Sequence, residues 1–279
     1  MPGDKKGFNL FIDKAIPYLQ APGLGENRFV EHAFSSRRGG LSEGPFSSLN
    51  TGFHTGDQVE HVLENRDRFF KQFAYDYRAI ASSIQVHGKG IGVFSGFNRG
   101  EGALPKTALK QCDALITEEP GLPLAAYSAD CLLIFFTARE RPLVALAHAG
   151  WRGTLENISG TVVGHLKQHY GLTPGELTAA LSPVICRQCY RIDEELAESF
   201  KSAGWNNRAY LSPLANEDGE YQLDLQAINT TQLIRSGVEK NNIFHSDWCT
   251  SCNPDLFYSY RRDSGLTGRM LGFIAIRNN

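Results

Sequence analysis

The chain has 279 residues, of which 42% are hydrophobic and 21% charged, a composition typical of a globular protein large enough to bury one large core. Its formal net charge of −2 gives no electrostatic reason to expect nucleic acid or an anionic membrane as a partner. The longest unbroken apolar run, Cys131 to Phe136, is far too short to span a bilayer.

The predicted elements mix helices and strands without a regular order. Hydrophobic spacing predicts a helix from Asp57 to Tyr77, with Asp57 and Glu60 as its N-terminal capping pair. Short apolar runs then predict three buried strands: Leu124 to Tyr127, Leu132 to Thr137 and Leu143 to Ala147. The rest of the chain predicts three helices and a last strand: Thr154 to about Tyr170, ended by Gly171; Asp193 to about Ala203; Asp224 to about Ser236; and Met270 to Ile276.

The order of these elements indicates the fold class. The chain contains no regular βαβ alternation, no internal repeat and no linker rich in proline, serine or glycine. We therefore predict an α+β fold with a mixed β-sheet core flanked by helices, formed by residues 1–279 as a single domain.

Three segments place a potential metal ligand beside small residues at the end of a predicted strand. The ligands are His87, Cys131 and His148. Two imidazoles and one thiolate form a normal zinc ligand set, and three protein ligands leave a fourth position open, as in catalytic zinc sites. The gaps between them match no compact metal-binding motif, so spacing alone does not separate ligands from a polar strand-end histidine and a buried thiol.

A series of short motifs extends along nearly the whole chain. These are Arg38-Gly-Gly40-Leu-Ser42, Ser47-Ser-Leu-Asn50, Gln85-Val-His87-Gly88, Asp113-Ala-Leu-Ile-Thr117, Ala129-Asp130-Cys131, His148-Ala-Gly-Trp-Arg-Gly153, Cys189-Tyr190, Asp224-Leu225, Cys249-Thr250, Phe257-Tyr-Ser-Tyr-Arg-Arg262 and Gly268-Arg269. In this order they resemble the YfiH-like family, whose members are called laccase-domain, polyphenol oxidase or purine nucleoside phosphorylase proteins. The resemblance implies that His87, Cys131 and His148 are the metal ligands.

The resemblance also implies an activity, that of a metal-dependent purine nucleoside phosphorylase. Such an enzyme would use phosphate to cleave adenosine, inosine and related nucleosides, with adenosine deamination as a second activity. Zinc is the expected metal and copper the alternative. We predict Asp130, Cys131 and His148 as catalytic residues, with Asp130 as a general base or as the partner of a histidine N–H.

The expected partners are a purine nucleoside and phosphate. The glycine-rich segment 150–153 leads from a strand into a helix, which favours a bound anion, and Arg152 adds a bidentate donor. The predicted substrate- and phosphate-binding residues are Arg38, Ser42, Asn50, Gln85, Arg152, Tyr260 and Arg261. Further candidates are Arg37, Arg262 and Arg269, and Trp151 for stacking on a planar base.

Two other functions remain open. One Cys with two His is also a blue-copper ligand set, so a copper-dependent polyphenol oxidase is the first alternative. Against this, Met1 and Met270 lie far in sequence from the ligands, and eight histidines are too few for a multicopper centre. The second alternative is a cysteine hydrolase or deamidase with Cys131 as nucleophile and His148 as base, which predicts an alkylatable thiol and activity without metal.

A second cysteine pattern lies outside these ligands. Cys186-x-x-Cys189 and Cys249-x-x-Cys252 have the spacing of two half-sites of a four-cysteine structural zinc. Only Cys189 and Cys249 occupy family positions, so we interpret the four as inert thiols and keep a structural metal as the alternative. The N-terminus carries no apolar export signal, and together with the cysteines this predicts a reducing, cytoplasmic location.

Overall fold

The computed structural model describes residues 7–12, 16–108, 110–214 and 219–278, and strands and helices follow each other irregularly along them. The strands are β1 Asn9–Phe11, β2 Tyr18–Gln20, β3 Val30–Ser35, β4 Ile91–Val93, β5 Ala114–Thr117, β6 Leu124–Ser128, β7 Leu132–Ala138, β8 Val144–Ala149, β9 Leu177–Leu181, β10 Arg191–Asp193, β11 Leu211–Pro213, β12 Glu220–Leu223, β13 Ile243–His245 and β14 Met270–Ile276. The α-helices are α1 Pro22–Gly25, α2 Val59–Lys71, α3 Trp151–Leu155, α4 Ile158–Tyr170, α5 Glu194–Ser202 and α6 Leu225–Arg235. Within these described ranges, no helix has both the length and the apolar character needed to cross a bilayer.

Two large sheets form the centre of the fold. The first has six strands in the order β13-β9-β7-β8-β5-β4, and it is mixed because the pairs β13/β9 and β4/β5 are parallel. The second has five strands in the order β1-β2-β3-β14-β6 and is antiparallel throughout. A small third sheet joins β10, β12 and β11. The predicted α+β fold with a mixed sheet flanked by helices is therefore confirmed; the assignment of residues 1–279 to one domain stays a prediction.

The two large sheets pack face to face, and each bears helices on its other face. Successive side chains of β14 point to opposite faces of its sheet. Phe273 packs with Phe69 of α2, whereas its neighbour Ile274 lies in the same core cluster as Phe135 of the six-stranded sheet. Helices α4 and α6 cover the opposite face of that sheet. Because the central strands are buried on both faces, their sequences are continuous apolar runs rather than alternating ones. The four predicted strands are confirmed, each within one or two residues at its ends.

The helix predicted from Asp57 to Tyr77 is present as α2 but is shorter at both ends. The predicted capping role of Asp57 is wrong, because its carboxylate instead accepts hydrogen bonds from Ser42 Oγ at 2.6 Å and Asn50 Nδ2 at 2.9 Å. At the other end, the positive φ of 57° at Ala74 takes the chain out of the helical path.

The helix predicted from Thr154 is divided into α3 and α4. Asn157 adopts a left-handed conformation with φ 64°, and its side chain accepts a hydrogen bond from the N–H of Gly160, so it ends one helix and caps the next. Gly171 ends α4 with φ 66°, as predicted. Asp193 and Asp224 cap α5 and α6 through their side chains, which confirms the starts of both predicted helices.

A buried histidine of β3 is expected to make the stability of the fold dependent on pH. Nε2 of His32 accepts the N–H of Ala21 at 2.9 Å, which requires the neutral ring, and burial together with the charge of Arg277 lowers the pKa of His32 to about 3. The unfolded chain has the ordinary value of about 6.5, so below that pH it binds a proton that the folded state does not. We expect the free energy of unfolding to fall as the pH drops from about 6.5 towards 3. At pH 5 it should be about 2 kcal/mol lower than at neutral pH.

Urea denaturation at several pH values measures this effect. The matched variant is His32→Gln, whose side-chain oxygen can still accept the N–H of Ala21 but does not titrate. The stability of the wild-type protein should fall more steeply with decreasing pH than that of the variant. Parallel profiles would show that His32 is not the responsible group.

Candidate metal centre and substrate cavity

Three side chains converge where the six-stranded sheet meets its loops. Cys131 immediately precedes β7, and His148 lies near the end of β8. Because Leu133 pairs with His148 across these antiparallel strands, Cys131 and His148 lie close together. His87 approaches from a loop before β4. The ligand atoms of His87, Cys131 and His148 all lie within 4.8 Å of one another. This donor set of two imidazoles and one thiolate fits Zn²⁺ or copper.

Asp113 holds both histidines in place. Its carboxylate accepts the backbone N–H groups of residues 86–88 at 2.8 to 3.1 Å and contacts Nδ1 of His148 at 2.9 Å. A histidine that donates Nδ1–H to a carboxylate presents Nε2 as its ligand atom. We predicted Asp130 as a possible partner of a histidine N–H; for His148 this is wrong, because Asp113 occupies that position. The sequence gives no signal for this role beyond the family motif in which Asp113 stands.

The electrostatics of the cluster favour the ligand form of the thiol. Burial raises the pKa of Cys131, but the charge and hydrogen bonds of His148 and His87 outweigh it and lower that pKa to about 6. Burial opposes the charged form of His148, yet Cys131 and Asp113 raise the pKa of His148 above its ordinary value. A thiolate is the form that binds metal ions, and it is also the form that acts as a nucleophile.

Asp130 lies beside the ligands with both carboxylate oxygens engaged. It is buried and adopts a positive φ of 90°. One oxygen accepts from Thr250 Oγ1 at 2.6 Å, and the other accepts from Ser259 Oγ at 2.9 Å and from the N–H of Arg261 at 2.7 Å. The carboxylate therefore ties two later loops to the segment that carries Cys131. Its predicted role as a general base stays a prediction.

The ligands open into a cavity of about 860 Å³, within the range of small-molecule sites. Among the described residues that line it, Asp130 supplies the sole carboxylate, whereas five side chains are cationic: Arg66, Lys106, Arg152, Arg261 and Arg269. Aromatic side chains form further parts of the wall: Phe53, Tyr127, Trp151, Tyr190 and Tyr260. Such a lining suits a ligand that combines an anionic group with a planar ring.

The predicted substrate-binding residues divide into two groups. Those that line the cavity are Gln85, Arg152, Tyr260 and Arg261. Arg38, Ser42 and Asn50 do not line it, and for them the structure corrects the expectation taken from their family positions. Arg38 is half-exposed and donates to the backbone oxygen of Asp255 at 2.7 Å, on another part of the surface.

Ser42 and Asn50 have structural roles beneath the cavity wall. Both are buried and share the carboxylate of Asp57. Asn50 Oδ1 also accepts the N–H of Arg269 at 2.9 Å, so it positions a residue that does line the cavity. The glycine-rich segment 150–153 lies at the start of α3, which has only five residues, so we expect its helix dipole to contribute little and the cationic side chains to dominate anion binding.

Among the cavity residues that were not predicted are Arg66 and His54. Arg66 of α2 is fully buried, and its guanidinium donates to the carbonyl oxygens of Thr51, Gly102 and Ala103. The sequence could have indicated this residue, because Arg66 lies on the apolar face of the helix, where a hydrophobic core residue is expected. The other is His54, whose pKa is lowered by partial burial and by the charges of nearby arginines.

The structure also brings the two cysteine pairs together. The sulfur atoms of Cys186, Cys189, Cys249 and Cys252 lie within 4.8 Å of one another. This proximity is what the structural-metal alternative requires and what our interpretation as inert thiols does not explain.

Comparison with known proteins finds a matching family and similar chains. The family described as multi-copper polyphenol oxidoreductase laccase matches residues 31–277. Over 247 residues the chain is 40% identical to purine nucleoside phosphorylase YlmD of Geobacillus stearothermophilus, covering 87% of this chain and 89% of that protein. It is 32% identical over 240 residues to adenosine deaminase RL5 of an unknown prokaryotic organism, covering 85% and 90%. The solved structure of the hypothetical protein YfiH of Bacillus licheniformis superposes with a TM-score of 0.90 at 34% identity, covering 96% and 99%.

Proposed function

The chain belongs to the family described as multi-copper polyphenol oxidoreductase laccase, and from that premise we propose that it is a metal-dependent purine nucleoside phosphorylase. Its substrates are inorganic phosphate and a purine nucleoside such as adenosine or inosine, and deamination of adenosine is a second activity. The observation that carries the proposal is a three-ligand metal centre that opens into a cation-rich, aromatic cavity. Relatives named purine nucleoside phosphorylase and adenosine deaminase support the choice of reactions. A cytoplasmic location remains a prediction from the sequence.

In this proposal the metal is held by His87, Cys131 and His148. Zinc is the metal we propose, with copper as the alternative, because the ligand set accepts both. When bound, the ion supplies Lewis acidity that polarises a substrate atom and lowers the pKa of a water molecule. Asp113 keeps both histidines oriented through the hydrogen bonds described above.

The reaction requires phosphate to be bound next to the sugar. Phosphorolysis forms a bond between a phosphate oxygen and C1′ of the ribose and breaks the bond from C1′ to the purine nitrogen, and the base leaves with a proton. Arg152, Arg261 and Arg269 neutralise the phosphate, while Tyr260 and Trp151 stack on the base. We propose that Asp130 accepts the proton of the attacking phosphate and passes it to the leaving purine, since it is the carboxylate among the described lining residues.

Oxidation of phenols by a multicopper centre is less well supported. A multicopper centre needs about ten imidazole ligands for its four coppers, and this chain has eight histidines in total. In the described part of the chain, the metal-binding groups are the His87 cluster and the four cysteines. Met270 is buried, and its sulfur accepts the N–H of Tyr258 at 3.1 Å, so it is placed in the core rather than as an axial ligand.

Metal analysis combined with product analysis tests the proposal. The protein is purified, its bound zinc and copper are measured, and it is incubated with adenosine or inosine with and without phosphate. We expect phosphate-dependent release of ribose 1-phosphate and free base, lost in His87→Ala and retained in the control His169→Ala, which changes an exposed histidine of α4. Activity that survives complete metal removal and is lost on alkylation of Cys131 would contradict the metal-dependent mechanism and favour Cys131 as a nucleophile.

Arg269 should contribute to phosphate binding. Its guanidinium lines the cavity and is held by hydrogen bonds to the carbonyl oxygens of Thr267 and Gly268, both at 2.9 Å. Because a hydrogen bond to a charged group contributes about 1.5 kcal/mol or more, we expect Arg269→Met to raise the KM for phosphate about tenfold, with a smaller effect on the KM for the nucleoside. Steady-state kinetics with each substrate varied in turn measures the two constants.

Arg38→Met is the matched control for this measurement. Arg38 was predicted at the phosphate site but lies on another part of the surface, so its replacement should leave the KM for phosphate unchanged. A rise in that KM for Arg38→Met and none for Arg269→Met would show that the assignment of the phosphate site to this cavity is wrong.

A further inference from the structure

The four clustered cysteines come from two loops that leave neighbouring strands. Cys186 and Cys189 follow β9, and Cys249 and Cys252 follow β13. Strands β9 and β13 are parallel neighbours, so the segments after them run side by side. A further bridge pairs Val184 with Cys249, and the N–H of Thr250 donates to the oxygen of Val184 at 3.2 Å. The sheet therefore brings the two pairs together despite their separation in sequence.

The distances between the sulfur atoms fit a single metal ion. Cys189 Sγ lies 3.3 Å and Cys186 Sγ 3.9 Å from Cys252 Sγ, and all four sulfurs lie within 4.8 Å of one another. A tetrahedral zinc with Zn–S bonds of about 2.3 Å requires sulfurs about 3.8 Å apart. A disulfide requires a distance of about 2.05 Å. The distances of 3.3 and 3.9 Å lie on either side of the value for ligands around one ion and well above that of a disulfide.

Two backbone N–H groups favour the thiolate form of Cys249. The N–H groups of Cys186 and Cys252 both donate to Sγ of Cys249, at 3.2 and 3.4 Å. Each pair also has a hydrogen bond that closes its turn. The N–H of Cys189 donates to the backbone oxygen of Cys186, and Asn253 Nδ2 donates to the backbone oxygen of Cys249. Hydrogen bonds from N–H groups stabilise negative sulfur, and outer contacts of this kind orient metal ligands.

We propose that Cys186, Cys189, Cys249 and Cys252 bind one Zn²⁺ in a closed structural site. Two C-x-x-C pairs that bring four sulfurs together are the donor set of structural zinc. The site shares no ligand with the His87, Cys131 and His148 centre, so it does not depend on the proposed function.

This second site would stabilise the wall of the cavity. Tyr190 follows Cys189 and lines the cavity, and Thr250 follows Cys249 and donates to the carboxylate of Asp130 at 2.6 Å. An ion between the two loops therefore fixes the segments that carry Tyr190 and Thr250, and Thr250 in turn holds the carboxylate of Asp130. Its role is to position these residues rather than to contact the substrate.

Metal content of the full-length protein, purified under reducing conditions, tests the proposal. We expect about two metal ions per chain in the wild-type protein and about one in each of Cys252→Ser and His87→Ala, because each variant loses a different site. Ser251→Ala is the matched control, since it changes the same loop without removing a ligand, and it should keep both ions. Unchanged metal content in Cys252→Ser would contradict a four-cysteine site.

Cobalt substitution supplies a readout that does not require a variant of the cysteines to fold. Cobalt-loaded wild-type protein and His87→Ala should both show the visible bands of a tetrahedral tetrathiolate Co(II) centre. Absence of these bands, an intact mass lower by two hydrogens without bound metal, or bound iron in place of zinc would each overturn the proposal. Because the bands report binding alone, they remain informative even if the protein shows no phosphorolysis.

Discussion

Replacement of Asp113 by asparagine is expected to lower the affinity of the His87, Cys131 and His148 centre for its metal by about 100-fold. The two carboxylate oxygens accept three backbone N–H groups of residues 86–88 and contact Nδ1 of His148. Asparagine keeps the shape but offers one acceptor oxygen, and its NH₂ group would face donors. Both histidines would then lose their fixed orientation, and activity should be lost at ordinary metal concentrations.

Competition with a chelator measures the metal affinity, and kinetics at increasing metal concentration separates positioning from chemistry. Because Asp113 acts through the ligands, excess metal should restore part of the activity of Asp113→Asn but none of that of His87→Ala. The matched control is Asp255→Asn, since Asp255 has a side chain that is 86% exposed and lies away from the centre. Equal metal affinities of the wild-type protein and Asp113→Asn would disprove the positioning role.

The sequence predicts the elements whose signal is local. Strands β6, β7, β8 and β14 are buried on both faces, and such strands appear in the sequence as continuous apolar runs. The short strands β1, β2, β4 and β10 to β13 have three or four residues each, too few for a recognisable pattern, and pairing with neighbours stabilises them. The division between α3 and α4 depends on the left-handed conformation of Asn157, which the apolar spacing of the surrounding helices does not reveal.

The site was only partly predictable, because its residues meet through the fold. The three candidate ligands are predicted from family motifs, and the structure brings their donor atoms together. Position in a motif does not distinguish contact with a ligand from support behind it, which is why Ser42 and Asn50 were placed in the cavity although they lie beneath its wall. The role of Asp113 depends on contacts across strands and loops. A pattern of residue types contains no information on such contacts.

Gly150→Ala should weaken metal binding about 100-fold while leaving the metal-free protein almost as stable as before. The backbone of Gly150, with φ −72° and ψ 179°, is one that alanine adopts without strain. An added Cβ would lie 2.9 Å from Nδ1 of His87 and 3.1 Å from Sγ of Cys131, closer than unbonded atoms tolerate. Both contacts are to side chains, so the ligands can move away in the metal-free state, but they then lose the arrangement that an ion requires.

The two effects are separated by measuring urea denaturation of the metal-free protein and chelator competition of the metal-bound protein. Gly164→Ala in α4 is the matched control, because a Cβ there meets no atom within 4 Å and the substitution should stabilise the helix by up to about 1 kcal/mol without changing metal affinity. If Gly150→Ala bound metal as tightly as the wild-type protein, His87 and Cys131 could not both be ligands in the positions described here. Loss of stability without loss of metal affinity would instead make Gly150 a packing residue. Because the added methyl group contacts two of the three ligands and leaves Asp113 untouched, this variant tests the metal centre independently of the carboxylate that orients it.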